Sequence, residues 1–237
     1  MLPASDHSLL VRFGTMAREP ARARVQQFLQ AFEQHAHPAV RNLHPAYASV
    51  LVSFDPVQWS LDDAQDFVRG VLGNMAEAPA PPARLVLLPV CYDLRVAPDL
   101  QDVAGIHKIS IDELVRLHSA PEYVVHFLGF SPGFPYLGGL DAALTTPRLA
   151  TPRTSVPAGS VAIGGAQTGI YPMASPGGWR IVGRTPVALF DARAWPPAAL
   201  RMGDRIRFQP VSHAAFAQMA SRPCTLDAGG HLNGGGA

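Results

Sequence analysis

The sequence is poor in cysteine and lysine. Cys91 and Cys224 are its only cysteines among 237 residues, and Lys108 is its only lysine. Two isolated cysteines argue against a disulfide framework and a cysteine-based zinc site, and they favour a reducing, cytoplasmic setting. The phosphate-binding motif G-x-x-x-x-G-K-[ST] is excluded, because the single lysine lies in GIHKIS.

Excess charge and long apolar runs are also missing. Nineteen basic residues nearly balance 18 acidic ones, so the net charge is only +1, and we expect no basic surface for nucleic acid or an anionic membrane. No apolar run approaches the length of a membrane-spanning helix. The N-terminal residues MLPASDHSLLVRFG lack the basic start and apolar centre of a signal peptide. We therefore expect a soluble cytoplasmic protein that binds neither nucleic acid nor membranes.

Hydrophobic spacing in the first part of the chain predicts alternating strands and helices. Helical spacing covers 19–35 and 60–75, and the second of these begins with Ser60 and Asp63, an acidic variant of the capping box. Apolar runs predict strands at 8–14, 39–45, 47–55 and 84–92. The order β-α-β-β-α-β predicts a ferredoxin-like domain over 1–92, with a Pro-Ala linker at 78–83 before its last strand.

The rest of the chain changes character. Two short helices, at 98–108 and 110–119, predict a helical connector over 93–121. Short strands separated by Gly- and Pro-rich turns then predict a β-barrel over 122–211. The C-terminal tail, 212–237, is expected to be partly disordered because it ends in DAGGHLNGGGA. The fold class is therefore α+β.

Three motifs have both a structural and a chemical interpretation. GFSPG at 129–133 matches the nucleophile elbow G-x-S-x-G, but PGFPYLGG after Ser131 cannot begin a helix, which favours a rigid turn. His35 and His37 lack nearby carboxylates, so no metal site is predicted. His126 lies in the apolar run EYVVHFLGF, where a hydrogen-bonded barrel histidine and a proton donor at the barrel mouth are equally consistent.

An uncharged stretch from Thr154 to Trp179 is the main candidate for a binding site. Arg148 and Arg153 precede it, and Arg180 and Arg184 follow it. Glycine amides can donate hydrogen bonds to an anion, and arginine can clamp a carboxylate with two hydrogen bonds. The alternative is a set of tight barrel turns without a ligand. The candidate substrate-binding residues are Arg153, Gly164, Gly165, Gln167, Thr168, Tyr171, Gly177, Gly178 and Arg184.

Several long strings resemble one known family. They are HFLGFSPGFPYLGGLD, the two TPR tripeptides at 146–148 and 151–153, VPAGSVAIGGAQTGIYPMASPGGWRIVGRTPVALFD and MGDRIRFQPV. They resemble the 5-oxoprolinase B-subunit family, also called allophanate hydrolase subunit 1 or the KipI-type kinase inhibitor family. The resemblance is dense over 122–211 and continues more loosely to the N-terminal strand. It implies an N-terminal α+β domain followed by a C-terminal cyclophilin-like β-barrel.

The resemblance also implies a role in a multi-chain enzyme. With an A-type and a C-type, or KipA-like, subunit, such a chain would hydrolyse 5-oxoproline to glutamate, and it would be inactive alone. ATP would be the co-substrate, accompanied by Mg²⁺. Two alternatives stay open: inhibition of sensor histidine kinase autophosphorylation, and a carboxyltransferase step on urea or allophanate with biotin supplied by a partner. The sequence departs from the family at Arg95, where a glutamate is expected, which puts any role of that carboxylate in doubt.

The enzyme interpretation gives the candidate residues separate roles. Backbone amides of Gly164, Gly165, Gly177 and Gly178 would stabilise an oxyanion. Arg153 or Arg184 would bind the substrate carboxylate. The lactam ring would be oriented by Gln167, Thr168 and Tyr171, and His126 would carry a proton.

Overall fold

The computed structural model describes residues 1–14, 19–75 and 83–233, and the chain divides into two compact units, Met1–Pro82 and Ala83–Ala237. Most of the predicted linker at 78–83 and the last four residues, 234–237, lie outside the described residues. Among the described helices, none combines the length and the apolar character that a membrane crossing requires.

The first unit contains a four-stranded antiparallel sheet with strand order β1-β2-β4-β3, and two helices. The elements are β1 (Leu2–Ser5), β2 (Ser8–Arg12), α1 (Glu19–Gln34), β3 (Val40–Pro45), β4 (Ser49–Phe54) and α2 (Leu61–Gly73). Alternate residues of β4, among them Val50 and Val52, are buried, as expected for a sheet with one covered face. The predicted capping box is present, because Ser60 and Asp63 each accept a hydrogen bond from the other's backbone amide.

The prediction that the strand at 84–92 completes this first sheet is wrong. A strand does form there, β5 (Leu85–Cys91), but it belongs to the barrel of the second unit, where it pairs in parallel with β13 (Arg205–Val211). The fourth strand of the first sheet is β1 instead, so the order along the chain is β-β-α-β-β-α and not the predicted β-α-β-β-α-β. A continuous apolar run predicts a strand without specifying its partner, which here lies far along the chain.

The second unit is built on a closed barrel of seven strands, which confirms the predicted C-terminal barrel; its likeness to cyclophilins stays a prediction. Around the barrel the strand order is β10-β7-β6-β13-β5-β12-β9. The remaining strands of this barrel are β6 (Tyr123–Leu128), β7 (Pro135–Gly138), β9 (Ser160–Ile163), β10 (Thr168–Ile170) and β12 (Arg180–Arg184). A separate two-stranded ribbon pairs β8 (Arg153–Val156) with β11 (Ser175–Gly177).

The two helices predicted for the connector pack on the barrel. Helix α3 (Leu100–His107) contacts β12, and α4 (Ile111–Ser119) contacts β13. Their buried side chains, such as Leu100 and Leu114, share one apolar cluster with Ile163 of β9. These helices are therefore part of the second unit's core.

The expectation of a disordered tail is wrong for 212–233. This segment forms α5 (His213–Ala220) and a short hairpin of β14 (Thr225–Leu226) with β15 (Leu232–Asn233). Gly230 adopts a positive φ of 86°, which allows the tight turn, and its amide donates to the carbonyl of Asp227. The glycines that suggested disorder here supply turn geometry.

Candidate functional site

The glycine amides proposed as anion donors are largely engaged in backbone hydrogen bonds. Gly164 donates to the carbonyl of Gln167 at 3.0 Å, which closes the β9–β10 turn. Gly165 and Thr146 exchange two hydrogen bonds, of 2.8 and 3.1 Å. Gly177 pairs with Arg153 in the β8–β11 ribbon. The amides of Gly164 and Gly165 are therefore not free to bind an oxyanion.

Close packing against aromatic rings explains two of these glycines. A Cβ atom at Gly164 would overlap the indole of Trp179, and one at Gly177 would overlap the phenol of Tyr171. At Gly178 a Cβ would meet only ordinary contacts, but its carbonyl accepts a hydrogen bond of 2.7 Å from the amide of Leu149. The uncharged stretch is thus a surface on which aromatic side chains and a neighbouring chain segment rest.

Thr168 faces the barrel interior. Its hydroxyl donates to the carbonyl of Ala162 at 3.0 Å and lies 3.0 Å from Nε2 of the fully buried His118. Nδ1 of His118 lies 2.8 Å from the hydroxyl of Tyr92. Burial lowers the pKa of His118 to about 3, so its imidazole is neutral. With Thr168 donating to Ala162, Nε2–H donates to Thr168 and Nδ1 accepts from Tyr92, a chain that needs no ligand.

The other ring-orienting candidates have different surroundings. Tyr171 is buried, with its ring 5.2 Å from that of Phe134, and burial raises the pKa of its phenol. Gln167 is half-buried in the β9–β10 turn. His126 occupies an irregularity in the pairing of β6 with β7, and its imidazole lies against Gly138. The structure does not bring His126 together with Gln167 through any described contact.

Both arginines proposed to bind a carboxylate have partners within the protein. Arg153 makes two hydrogen bonds to the buried carboxylate of Asp99, at 2.7 and 2.9 Å. Arg184 donates to the carbonyl of Ala158 at 2.9 Å and lies over the ring of Phe216. Because these contacts hold both guanidinium groups, we assign Arg153 and Arg184 to the scaffold and not to substrate binding.

Of the four arginines that flank the uncharged stretch, Arg148 is the one whose side chain has no hydrogen bond or ion pair to another described residue. It is exposed, and its guanidinium carbon lies 5.5 Å from the ring centroid of Trp179. Within the described residues it makes no ion pair. In the sequence alone, Arg148 is distinguished only by its place at the edge of the uncharged stretch.

Backbone hydrogen bonds on either side hold Arg148 in place. Two residues earlier, Thr146 pairs with Gly165, and one residue later the amide of Leu149 donates to Gly178. The segment carrying Arg148 is therefore tied at both ends to the uncharged stretch, through Gly165 and Gly178.

A cluster of aromatic rings continues from Trp179, the ring over which Arg148 lies. Trp179 meets Tyr136 and Phe134 edge to face, with centroid distances of 5.8 and 5.6 Å. Phe130 lies 5.5 Å from Phe134 and is 63% exposed. We name these residues, Phe130, Phe134, Tyr136 and Trp179 together with Arg148, the aromatic–arginine site. The aromatic run in GFSPGFPY was the sequence signal for it.

The β6–β7 hairpin presents this aromatic edge. Gly129 donates to the carbonyl of Phe134 at 3.1 Å, and Phe134 donates to that of Ser131 at 3.0 Å. Gly133 and Phe130 both adopt positive φ, of 79° and 68°. GFSPG thus connects two strands, without the strand–turn–helix geometry of a nucleophile elbow. No described residue forms a hydrogen bond with the buried Ser131 hydroxyl.

The part of the chain that the structure describes contains no cluster of metal-ligating side chains, and its two cysteines are buried. There, no group of three His, Cys, Asp or Glu side chains could hold a metal ion. Nδ1 of His35 forms a hydrogen bond with the carbonyl of Ala31, and the ring of His37 stacks on that of Trp59 with 4.4 Å between the ring centroids. Cys91 and Cys224 are buried free thiols, and burial raises the pKa of each.

Comparison with known proteins decides the classification. The family model described as carboxyltransferase domain, subdomain C and D, matches residues 1–200. The chain belongs to that family. The match includes every residue of the aromatic–arginine site, from Phe130 to Trp179.

Individual relatives of this carboxyltransferase-domain chain agree with the assignment. The 5-oxoprolinase B subunit of Bacillus subtilis (strain 168) is 37% identical over 221 residues, which cover 89% of this chain and 92% of that protein. This relative confirms the resemblance seen in the sequence. In the crystal structure of TTHA0988, 36% identical with a TM-score of 0.77, the match covers 88% of this chain and 40% of the other. This chain therefore corresponds to less than half of TTHA0988.

A more distant solved structure shares the fold alone. The Kluyveromyces lactis urea carboxylase is 20% identical, with a TM-score of 0.71, and the match covers 91% of this chain and 22% of that enzyme. The fold thus occurs within larger chains.

Proposed function

We propose that this protein is the B-type component of an ATP-dependent 5-oxoprolinase, which hydrolyses 5-oxoproline to glutamate together with an A-type and a C-type subunit. The observation that carries the proposal is the similarity to a 5-oxoprolinase B subunit along nearly the full length of both chains. The exposed aromatic–arginine site supports it, because an arginine beside aromatic rings suits a small ring that bears a carboxylate.

The chemistry explains why a complex is needed. 5-Oxoproline is a five-membered lactam with little ring strain, so water opens it slowly. Phosphorylation of the amide oxygen by ATP would make the carbonyl carbon electrophilic. Water would then add to that carbon and the ring C–N bond would break, giving the free amine and an acyl phosphate. A second water would hydrolyse the acyl phosphate, releasing phosphate and leaving the second carboxylate of glutamate. The complex must hold the substrate carboxylate and stabilise a tetrahedral oxyanion.

In this proposal the present chain contributes substrate binding, and its partners contribute the ATP site with its Mg²⁺. Supporting this division, the amides of Gly164 and Gly165 are engaged in backbone hydrogen bonds. The described residues also offer no cluster of carboxylates and histidines for a metal. Arg148 and Tyr136 would hold the substrate while activation occurs.

Co-expression with A-type and C-type subunits tests the proposal. We expect ADP release that depends on 5-oxoproline and on all three chains, with glutamate formed in equal amount. The full chain alone should release no ADP. Turnover of urea in place of 5-oxoproline, or full activity of the A-type and C-type chains without this one, would contradict the assignment.

A further inference from the structure

We propose that Arg148, Tyr136 and Trp179 form a binding site on this chain for a small carboxylate attached to a flat, uncharged ring. The site follows from the geometry of this chain. Its identification with 5-oxoproline rests on the function proposed above.

The Arg148 guanidinium has no ionic partner among the described residues. A guanidinium group that stacks on an aromatic face keeps its N–H donors, which lie in its own plane, available for a carboxylate. The guanidinium carbon of Arg148 lies over Trp179, 5.5 Å from the ring centroid, and Arg148 makes no ion pair with a described residue. By contrast, Arg153 donates the same N–H groups to Asp99.

The phenols of Tyr136 and Tyr171 are influenced by the charge of Arg148. Burial raises the pKa of both Tyr136 and Tyr171, and the charge of Arg148 opposes that rise at each of them. The ring of Tyr136 also lies 5.8 Å from that of Trp179, the ring over which Arg148 lies. The hydroxyl of the half-buried Tyr136 makes no hydrogen bond to another described residue, so it can donate to the anion that Arg148 binds.

The exposed ring of Phe130 offers an apolar surface to the ring of the ligand. Phe130 is 63% exposed although its ring is held against Phe134, and its backbone adopts a φ of 68° that non-glycine residues rarely occupy. This exposed ring is connected through Phe134 to Trp179, the ring over which Arg148 lies, and it provides an apolar surface for a flat ring. No charged residue occurs between Thr154 and Trp179 to compete for Arg148.

Calorimetric titration of the full chain with three probes tests this site. The probes are 5-oxoproline, 2-pyrrolidinone, which lacks the carboxylate, and acetate, which lacks the ring. We expect 5-oxoproline to bind more tightly than either fragment. We expect Arg148→Gln to weaken its binding about tenfold to a hundredfold, as for loss of a charge-assisted hydrogen-bonded pair, and Tyr136→Phe to weaken it less.

Arg116→Gln is the matched control, because Arg116 is an exposed arginine of α4 paired with Glu113. It should bind 5-oxoproline as the unmodified chain does. Arg148→Lys should recover only part of the affinity, since lysine keeps the charge but loses the planar fork. Circular dichroism verifies that each variant is folded.

The outcomes separate this inference from the proposed function. If the three-subunit complex is inactive on 5-oxoproline while the chain binds it in an Arg148-dependent way, the site stands and the function fails. If the complex turns over but the chain binds nothing at about 10 mM probe, the inference is overturned. Equal binding by Arg148→Gln and the unmodified chain would overturn it as well.

Discussion

Replacing Asp99 with alanine tests whether Arg153 belongs to the scaffold. The Asp99 carboxylate is 3% exposed and accepts three hydrogen bonds. Two come from the guanidinium of Arg153, and one of 2.7 Å comes from the backbone amide of Ile181. Alanine removes all three and leaves the Ile181 amide buried without an acceptor.

The size of the effect follows from these contacts. A buried amide that loses its acceptor costs about 1–3 kcal/mol. The Arg153 side chain is 30% exposed and can regain water, so loss of the ion pair adds only about 1 kcal/mol. We expect Asp99→Ala to lower the free energy of unfolding by about 3 kcal/mol, or the Tm by roughly 6–12 °C. Asp99→Asn keeps an acceptor for the amide and should cost about half as much.

Thermal and urea unfolding, followed by circular dichroism, measure these losses. Arg153→Gln should also destabilise the protein, because it leaves the Asp99 carboxylate buried with one donor. In the reconstituted complex it should leave the KM for 5-oxoproline unchanged at a temperature where the variant is folded. Unchanged stability of Arg153→Gln together with a raised KM would refute the reasoning, since Arg153 would then be a ligand-binding residue.

Three further predictions concern separate parts of the molecule. The pKa of His118 is about 3 in the folded state, against an ordinary 6.5, so the unfolded chain takes up a proton at a higher pH than the folded chain does. The free energy of unfolding should therefore fall as the pH drops below about 6.5, by up to ~1.4 kcal/mol per pH unit. Urea unfolding of His118→Gln should show a smaller pH dependence, and an equal one would contradict the assignment of His118 as neutral and buried. Gly164→Ala should cost about 1–3 kcal/mol and alter Trp179 fluorescence, because the methyl group overlaps the indole; an unperturbed variant would contradict the packing role. Ser60→Ala should cost about 1 kcal/mol through loss of the α2 cap, measured by urea unfolding, and no loss would show that the cap is dispensable.

Local features of the fold were predictable from the sequence. Helical spacing located α1 and α2 to within two residues at each end, and Ser60 with Asp63 marked the start of α2. At α4, Ser110 caps the Glu113 amide, whereas the Glu113 carboxylate pairs with Arg116 and does not complete a capping box. Contacts within one helical turn can be inferred from spacing because the backbone geometry fixes them.

Strand pairing was not predictable in the same way. The run at β5 is apolar enough for any sheet, and its parallel neighbour β13 follows more than a hundred residues later. Similarly, the glycines near the C-terminus suggested disorder, whereas Gly230 serves a hairpin turn. In both cases the deciding contact lies outside any local pattern.

The sequence located the region of the candidate site, but the structure gives its individual residues different roles. The uncharged stretch and its flanking arginines did mark the region. Which arginine is available depends on distant partners, because Asp99, 54 positions earlier, occupies Arg153. Sequence spacing carries no information about such a pairing, so the choice of Arg148 over Arg153 could emerge only from the structure.

The KM for 5-oxoproline of the three-subunit complex carrying Arg148→Gln is the most direct measurement of the central claim. Set beside the Arg116→Gln complex, we predict a KM raised about tenfold or more with kcat little changed, as expected when an interaction shared by the bound substrate and the transition state is removed. The same KM in both complexes would contradict the assignment of Arg148 as the carboxylate-binding residue.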